Sequence, residues 1–275
     1  MYKRQKPHGD DQLNVSARKL PEYGNQAARV ATIVAVLLAC LAAGRAGAVA
    51  PDYSLWDEVL LTHVRRGYVD YSRLRGDPRL DAFIAQLASA DPASVAGDEE
   101  RKAFLINAYN AFAIRGILDG ESTKNQSRRR RFFNRYRFEL MGETSTLQEI
   151  EHKQLRPMGD PRIHFAIVCA SLSCPRLASR AYVPERLDEQ LDEAAHSFIN
   201  DPTRNRFEIE RGQAWVSPIF DWFDEDFAAT DGSVPAFLAR YVDASEVAEQ
   251  LADDQLRLRY DRYDWGLNGR LGPAP

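Results

Sequence analysis

Ile163-His164-Phe165-Ala166-Ile167-Val168-Cys169-Ala170 is an apolar run, short and rich enough in β-branched residues to predict a buried strand. Its exit, Ser171-Leu172-Ser173-Cys174-Pro175, is turn-forming, and an amphipathic helix follows from Pro184 to Ile199. Upstream, apolar residues at helical spacing predict helices over Trp56–Val64, Leu80–Leu87 and Glu99–Leu118. The last of these is apolar on several sides, so it is expected at the centre of the fold. Thr146–Arg156 reads as a helix capped by Ser145 or Thr146. Phe207–Val216 alternates like a hairpin strand or pair, Val234–Tyr241 is a short helix, and Leu256–Tyr263 is extended. The expectation is therefore an α+β fold: a helix-rich single domain around a small sheet, with one central buried strand at about 163–170.

The chain has 275 residues, 44% of them apolar, which is ordinary for a globular protein with a core. Its formal charge of −4 is unevenly spread. Residues 1–48 hold 7 Lys/Arg against 3 Asp/Glu, and the remainder holds 29 against 37, a charge of −8. An acidic domain argues against nonspecific binding to nucleic acid or to anionic lipid. Residues 126–137, with six arginines among aromatics, read as a solvated insertion at the surface, or as a docking patch for an acidic partner.

Val30–Gly44 is a 15-residue uncharged run between Arg29 and Arg45. That is short of the ~20 apolar residues a spanning helix needs and matches the apolar region of a signal peptide. Ala46-Gly47-Ala48 offers small residues for cleavage after Ala48, giving a signal segment over 1–48 and one domain over 49–275. Lipidation of Cys40, or retention of the segment as an anchor, are the alternatives, and only through them is membrane contact expected. An exported domain with Cys169 and Cys174 five residues apart would readily form a local disulfide.

Four segments appear in order: Asn107-Ala108-Tyr109-Asn110; Leu147–Arg156 with Glu151; His164–Pro175; and Tyr263-Asp264-Trp265-Gly266-Leu267-Asn268. Together they resemble the DUF547 family of uncharacterised proteins over roughly residues 55–268. The resemblance implies a shared fold and carries no established activity. The family also includes plant proteins held to be intracellular with the same paired cysteines, which implies a role for at least one thiol beyond a structural disulfide.

The candidate site residues follow from these segments. Asn107, Tyr109 and Asn110 lie within the most apolar helix, where buried amides must find partners, either by tying down a loop or by lining a site. Ser171, in the turn that follows the apolar run, is a further binding candidate. His164, Cys169, Cys174 and Glu151 are the catalytic candidates: one cysteine as nucleophile, His164 as base, and Glu151, Asn107 or Asp264 orienting the imidazole. On a strand, residues 164 and 169 face opposite ways, so Cys174 with His164 or Cys169 with His152 are equal alternatives. The element order distantly resembles papain-like and transglutaminase-like folds, which place their cysteine at the start of the helix. No metal site is expected, because Cys169 and Cys174 lack a second closely spaced pair, and no cofactor is expected either. His63 and His196 read as partly exposed surface residues, and Trp215, Phe220, Trp222 and Phe223 as core. Two readings result: a thiol-dependent hydrolase or acyltransferase, or a non-catalytic envelope binding or structural module with a Cys169–Cys174 disulfide.

Overall fold

The computed structural model describes residues 52–272. The signal segment, its cleavage site and Cys40 lie outside the described residues. The chain runs α1 (Ser54–His63), β1 (Val64–Arg65), β2 (Tyr68–Asp70), α2 (Pro78–Ser89), α3 (Asp98–Leu118), α4 (Gln126–Asn134), β3 (Phe138–Leu140) and β4 (Glu143–Ser145). It continues through the single turn α5 (Ile163–Ala166), α6 (Leu187–Ile199), β5 (Arg206–Glu208), β6 (Gln213–Val216), α7 (Asp224–Asp231), α8 (Val234–Tyr241), α9 (Ser245–Ala252), β7 (Arg257–Tyr260) and β8 (Gly269–Arg270). This is a helix-rich α+β domain whose sheets are small and unclosed. β1, β2 and β8 form one sheet, β3 and β4 a hairpin, and β5, β6 and β7 another sheet. In each three-stranded sheet one pairing is parallel, β2 with β8 and β6 with β7. Both parallel partners come from the C-terminal segment, so chain ends far apart in sequence are stitched to earlier strands.

The helices arise where the periodicity places them, and short polar side chains start several of them. Asp77 accepts from the Arg79 amide ahead of α2, where Pro78 opens the helix with no amide to satisfy. Thr146 accepts from the Glu149 amide and bonds the Glu149 carboxylate at 3.1 Å. The helix it starts does not stay α-helical, because Ile150–Leu155 winds as a π-helix. α3 is buried along most of its length, from Ala103 to Ile117, and forms the spine of one apolar core. A second core gathers α6, α7, α8 and β6 around Phe165, Phe220, Phe227 and Phe237.

The central strand expected at 163–170 is not one. Ile163–Ala166 makes a helical turn, closed by the Ile167 amide on the Ile163 carbonyl at 3.0 Å, and only then does the chain extend. An unbroken apolar run does not by itself separate strand from helix. Here it is apolar because it is wedged between the cores, with Ile163, Ala166, Ile167 and Val168 in one and Phe165 in the other. Its extended part pairs with a side chain instead of a full strand partner. The Asn110 amide donates to the Ala166 carbonyl at 2.9 Å and accepts from the Val168 amide at 2.8 Å. Asn107 does the same for Tyr182, donating to its carbonyl at 2.7 Å and accepting from its amide at 3.0 Å.

His63 also departs from expectation. It is buried, with Nε2 at 2.8 Å from the Asp77 carboxylate, whereas His196 is exposed as expected. Phe220 is core, but Trp222 is 45% exposed.

Replacing Asn110 with Ala orphans one buried backbone carbonyl and one buried amide. It should lower domain stability by about 2–4 kcal/mol, measured as a shift of the urea midpoint at unchanged slope. A loss below about 0.5 kcal/mol, the range of an ordinary surface change, would mean that the amide does not hold this segment.

Candidate functional site

The α5 turn and the loop after it bring His164, Cys169 and Cys174 to one side of a cleft of about 260 Å³. Tyr109 reaches it from α3, Glu151 and His152 from the π-helix, Phe133 from α4, and Trp222 and Phe223 from the turn before α7. Tyr263 and Trp265 close it from the C-terminal segment. That segment is held against the disulfide loop by backbone pairing: the Leu172 amide donates to the Gly266 carbonyl at 2.7 Å, and the Asn268 amide to the Ala170 carbonyl at 3.1 Å. The same strip continues into the sheet, where the Val69 amide donates to the Asn268 carbonyl at 3.1 Å.

Cys169 and Cys174 are joined in a disulfide, with Cα atoms 6.2 Å apart. This overturns the thiol-dependent hydrolase or acyltransferase expected as one reading: neither sulfur is available as a nucleophile, because each is bonded to the other. The expected base is committed elsewhere as well. His164 Nε2 lies 2.7 Å from Asp226 Oδ2, and its ring stacks on Phe223 at 3.9 Å. The sulfurs meet hydroxyls instead. Ser171 Oγ is 3.0 Å and Tyr263 Oη 3.3 Å from Cys169 Sγ, and Tyr263 Oη is also 3.3 Å from Cys174 Sγ. Among the described residues, no group of three or more His, Cys, Asp or Glu is arranged to hold a metal ion, and no helix is long and apolar enough to cross a membrane.

The charges at the cleft are sorted. Asp226 receives a bidentate fork from Arg156, Nε to Oδ2 at 2.7 Å and Nη2 to Oδ1 at 2.8 Å, in addition to His164. Burial raises the Asp226 pKa, but its bonds to His164 and Arg156 outweigh burial and hold it well below the usual carboxylate range. Burial pushes the His164 pKa below its ordinary value despite the Asp226 carboxylate. Arg156 also bonds His152 Nδ1 at 2.9 Å. Glu151 has no such partner: the Tyr109 hydroxyl, at 3.4 Å, is its one side-chain hydrogen bond. Burial pushes the Glu151 carboxyl up to about 7, against the smaller opposing influence of Tyr109 and Arg156.

Of the residues singled out from sequence, Tyr109, Glu151, His164, Cys169 and Cys174 do converge on the cleft, with Ser171 behind the disulfide. Glu151 faces Tyr109 and does not orient His164. Asn107 and Asn110 do not line the cleft, because both amides are spent on backbone. Asp264 accepts from the Gly266 amide and shapes its own turn. Asp226 and Trp265 were missed as site residues. The acidic, aromatic stretch Trp222–Phe227 was the available signal for Asp226, and Trp265 stood inside a quoted motif. Trp222 was assigned to the core, yet it is exposed and stacks on Trp265 with centroids 5.7 Å apart. The arginine cluster between Arg128 and Arg137 falls largely on α4, which is mostly exposed, although Arg129 lies 4.3 Å over the Trp265 ring.

The family comparison rests on this same region. The chain matches the DUF547 family. The match covers residues 93–199 and carries the description "Protein of unknown function, DUF547". It takes in the Asn107–Asn110 segment, Glu151, His164 and the disulfide, while Trp222, Asp226, Tyr263 and Trp265 fall outside it. No curated protein and no solved structure matches the chain.

The raised Glu151 carboxyl has a stability signature. Below about pH 4.5 the carboxyl is neutral in both folded and unfolded chains. Between about 4.5 and 7 the unfolded chain ionises while the folded one keeps its proton, so this contribution to stability is lost as pH rises; above 7 the difference is level. Glu151→Gln should therefore gain on the wild type across that window, by as much as about 3 kcal/mol, read from denaturation midpoints at pH 4.5, 6 and 8. A difference that does not change with pH would contradict a carboxyl held above its ordinary range by its surroundings.

Proposed function

We propose that the chain is an exported, non-catalytic binding module of the cell envelope, in which the Cys169–Cys174 disulfide shapes one wall of an aromatic-lined cleft. The observation that carries this reading is that both cysteines line the cleft while bonded to each other. The loop between them is a fixed wall, held by Tyr263, Ser171 and the paired strip at 266–268. Export is supported by the signal-like run Val30–Gly44 and by a disulfide, which persists in oxidising compartments. A cleft with apolar rings and a few convergent polar groups is the usual make-up of a small-ligand site. The papain-like or transglutaminase-like analogy adds nothing to this reading, since it rested on an element order that includes a strand at 163–170, where the chain instead makes a helical turn.

Titration with soluble glycan, peptide and lipid head-group fragments of bacterial envelopes, followed by tryptophan fluorescence, tests the proposal. A saturable change with at least one fragment is expected. Trp222→Ala, at an exposed position that leaves the fold intact, should weaken it by about tenfold or more, the scale of losing one large aromatic contact. Undiminished binding by Trp222→Ala, or a panel without any saturable ligand, would overturn the reading.

A further inference from the structure

The composition of the cleft lining restricts what it can hold. Tyr109, Phe133, Trp222, Phe223, Tyr263 and Trp265 supply the rings, Glu151 is the carboxylate, and no Lys or Arg lines it. Two guanidinium groups lie against lining rings from outside the cleft: Arg156, 5.2 Å over Phe223 and committed to Asp226 through two short bonds, and Arg129, 4.3 Å over Trp265. Ring quadrupoles present negative faces, and desolvation strengthens their pull on a cation. Arg129 over Trp265 is one such contact already made by this protein's own chain. A phosphate or carboxylate entering the cleft would meet no Lys or Arg among its lining residues and would face Glu151. A positive ligand would find rings and one unpaired counter-charge.

We propose that the cleft binds a small organic cation with an alkylammonium head, the head being held among the aromatic rings with Glu151 as its counter-ion. This rests on the binding-module reading and names the ligand class for the same site. Positive charge next to Glu151 favours its ionised form, so binding releases a proton wherever the free carboxyl is still protonated. The groups that face Glu151 are Tyr109 from α3, Arg156 and His152 from its own segment, Asp226 from α7 and Tyr263 from the C-terminal segment. Burial and Arg156 hold the His152 pKa below its ordinary value, and burial does the same for His164. Glu151, pushed up to about 7, is the carboxyl of the cleft lining whose charge changes between pH 6 and 8.

Choline is the probe, because its charge does not titrate, and 3,3-dimethylbutan-1-ol is its uncharged isostere. Calorimetry on the full domain should show choline binding at pH 8 and binding about tenfold weaker at pH 6, as Glu151 takes up its proton. The isostere should bind at least about tenfold more weakly than choline, the scale of a cation held by rings and a carboxylate. Glu151→Gln should lose both the affinity and the pH dependence while melting no lower than the wild type at pH 8. Equal binding of choline and its isostere, or pH-independent choline binding, would overturn the cation assignment and leave the aromatic cleft standing as a site. Absence of choline binding alongside a saturable envelope fragment would overturn it in the same way.

Discussion

The position of the whole site depends on one buried side-chain amide. Asn110, on the most enclosed helix of the domain, supplies both a donor and an acceptor to the backbone at Ala166 and Val168. Backbone polar groups in an apolar interior need partners, and a neighbouring strand would ordinarily provide them. Here one amide serves the purpose without the bulk of a strand, which lets the α5 turn sit between two cores. His164 projects from the start of that turn and Cys169 from its extended end, so the spacing between the imidazole and the disulfide wall is set from α3. Asn107 fixes the return of the chain at Tyr182 in the same manner.

Much of the helical skeleton was legible because its signals are local. The periodicity of α1, α2, α3, α6 and α8 and the cap at Thr146 could be read from neighbouring residues alone. The run at 163–170 was misread for a physical reason: being wedged between two cores makes it apolar in the way a central strand is apolar, and its real partner lies more than fifty residues upstream. Asn107 and Asn110 were recognised as buried amides needing partners, although which backbone they serve is a tertiary fact. The disulfide was open in the sequence, since two cysteines five apart on a turn are compatible with a bond or with a free thiol. Asp226 was not legible, because its role comes from His164 and Arg156, which approach from 62 and 70 residues away. α9 was likewise not anticipated, as its few apolar positions, Val247 and Leu251, are buried only against the second core.

The electrostatics of the cleft follow from how its charges are shared. Asp226 takes both His164 and Arg156, which leaves the carboxylate satisfied by the guanidinium and the imidazole together. Glu151 is left with a phenol at hydrogen-bond range and no partner of opposite charge in the fork. A carboxyl in that position resists ionisation, and its environment changes most when something positive arrives. The π-helical winding at Ile150–Leu155 matters here, since such a winding is rare and frequent at functional sites. It presents Glu151 and His152, adjacent in sequence, to the same cleft.

The Cys169–Cys174 bond closes the wall on which the cleft is built. Both cysteines fall in one tryptic peptide, Ile163–Arg176, so a single mass decides the matter. The native domain would be treated with iodoacetamide before digestion, with and without prior reduction. The account predicts an unmodified peptide two mass units below its dithiol form without reduction, and two carbamidomethyl groups after it. A peptide alkylated at either cysteine without reduction would contradict the disulfide wall and the binding-module reading built on it.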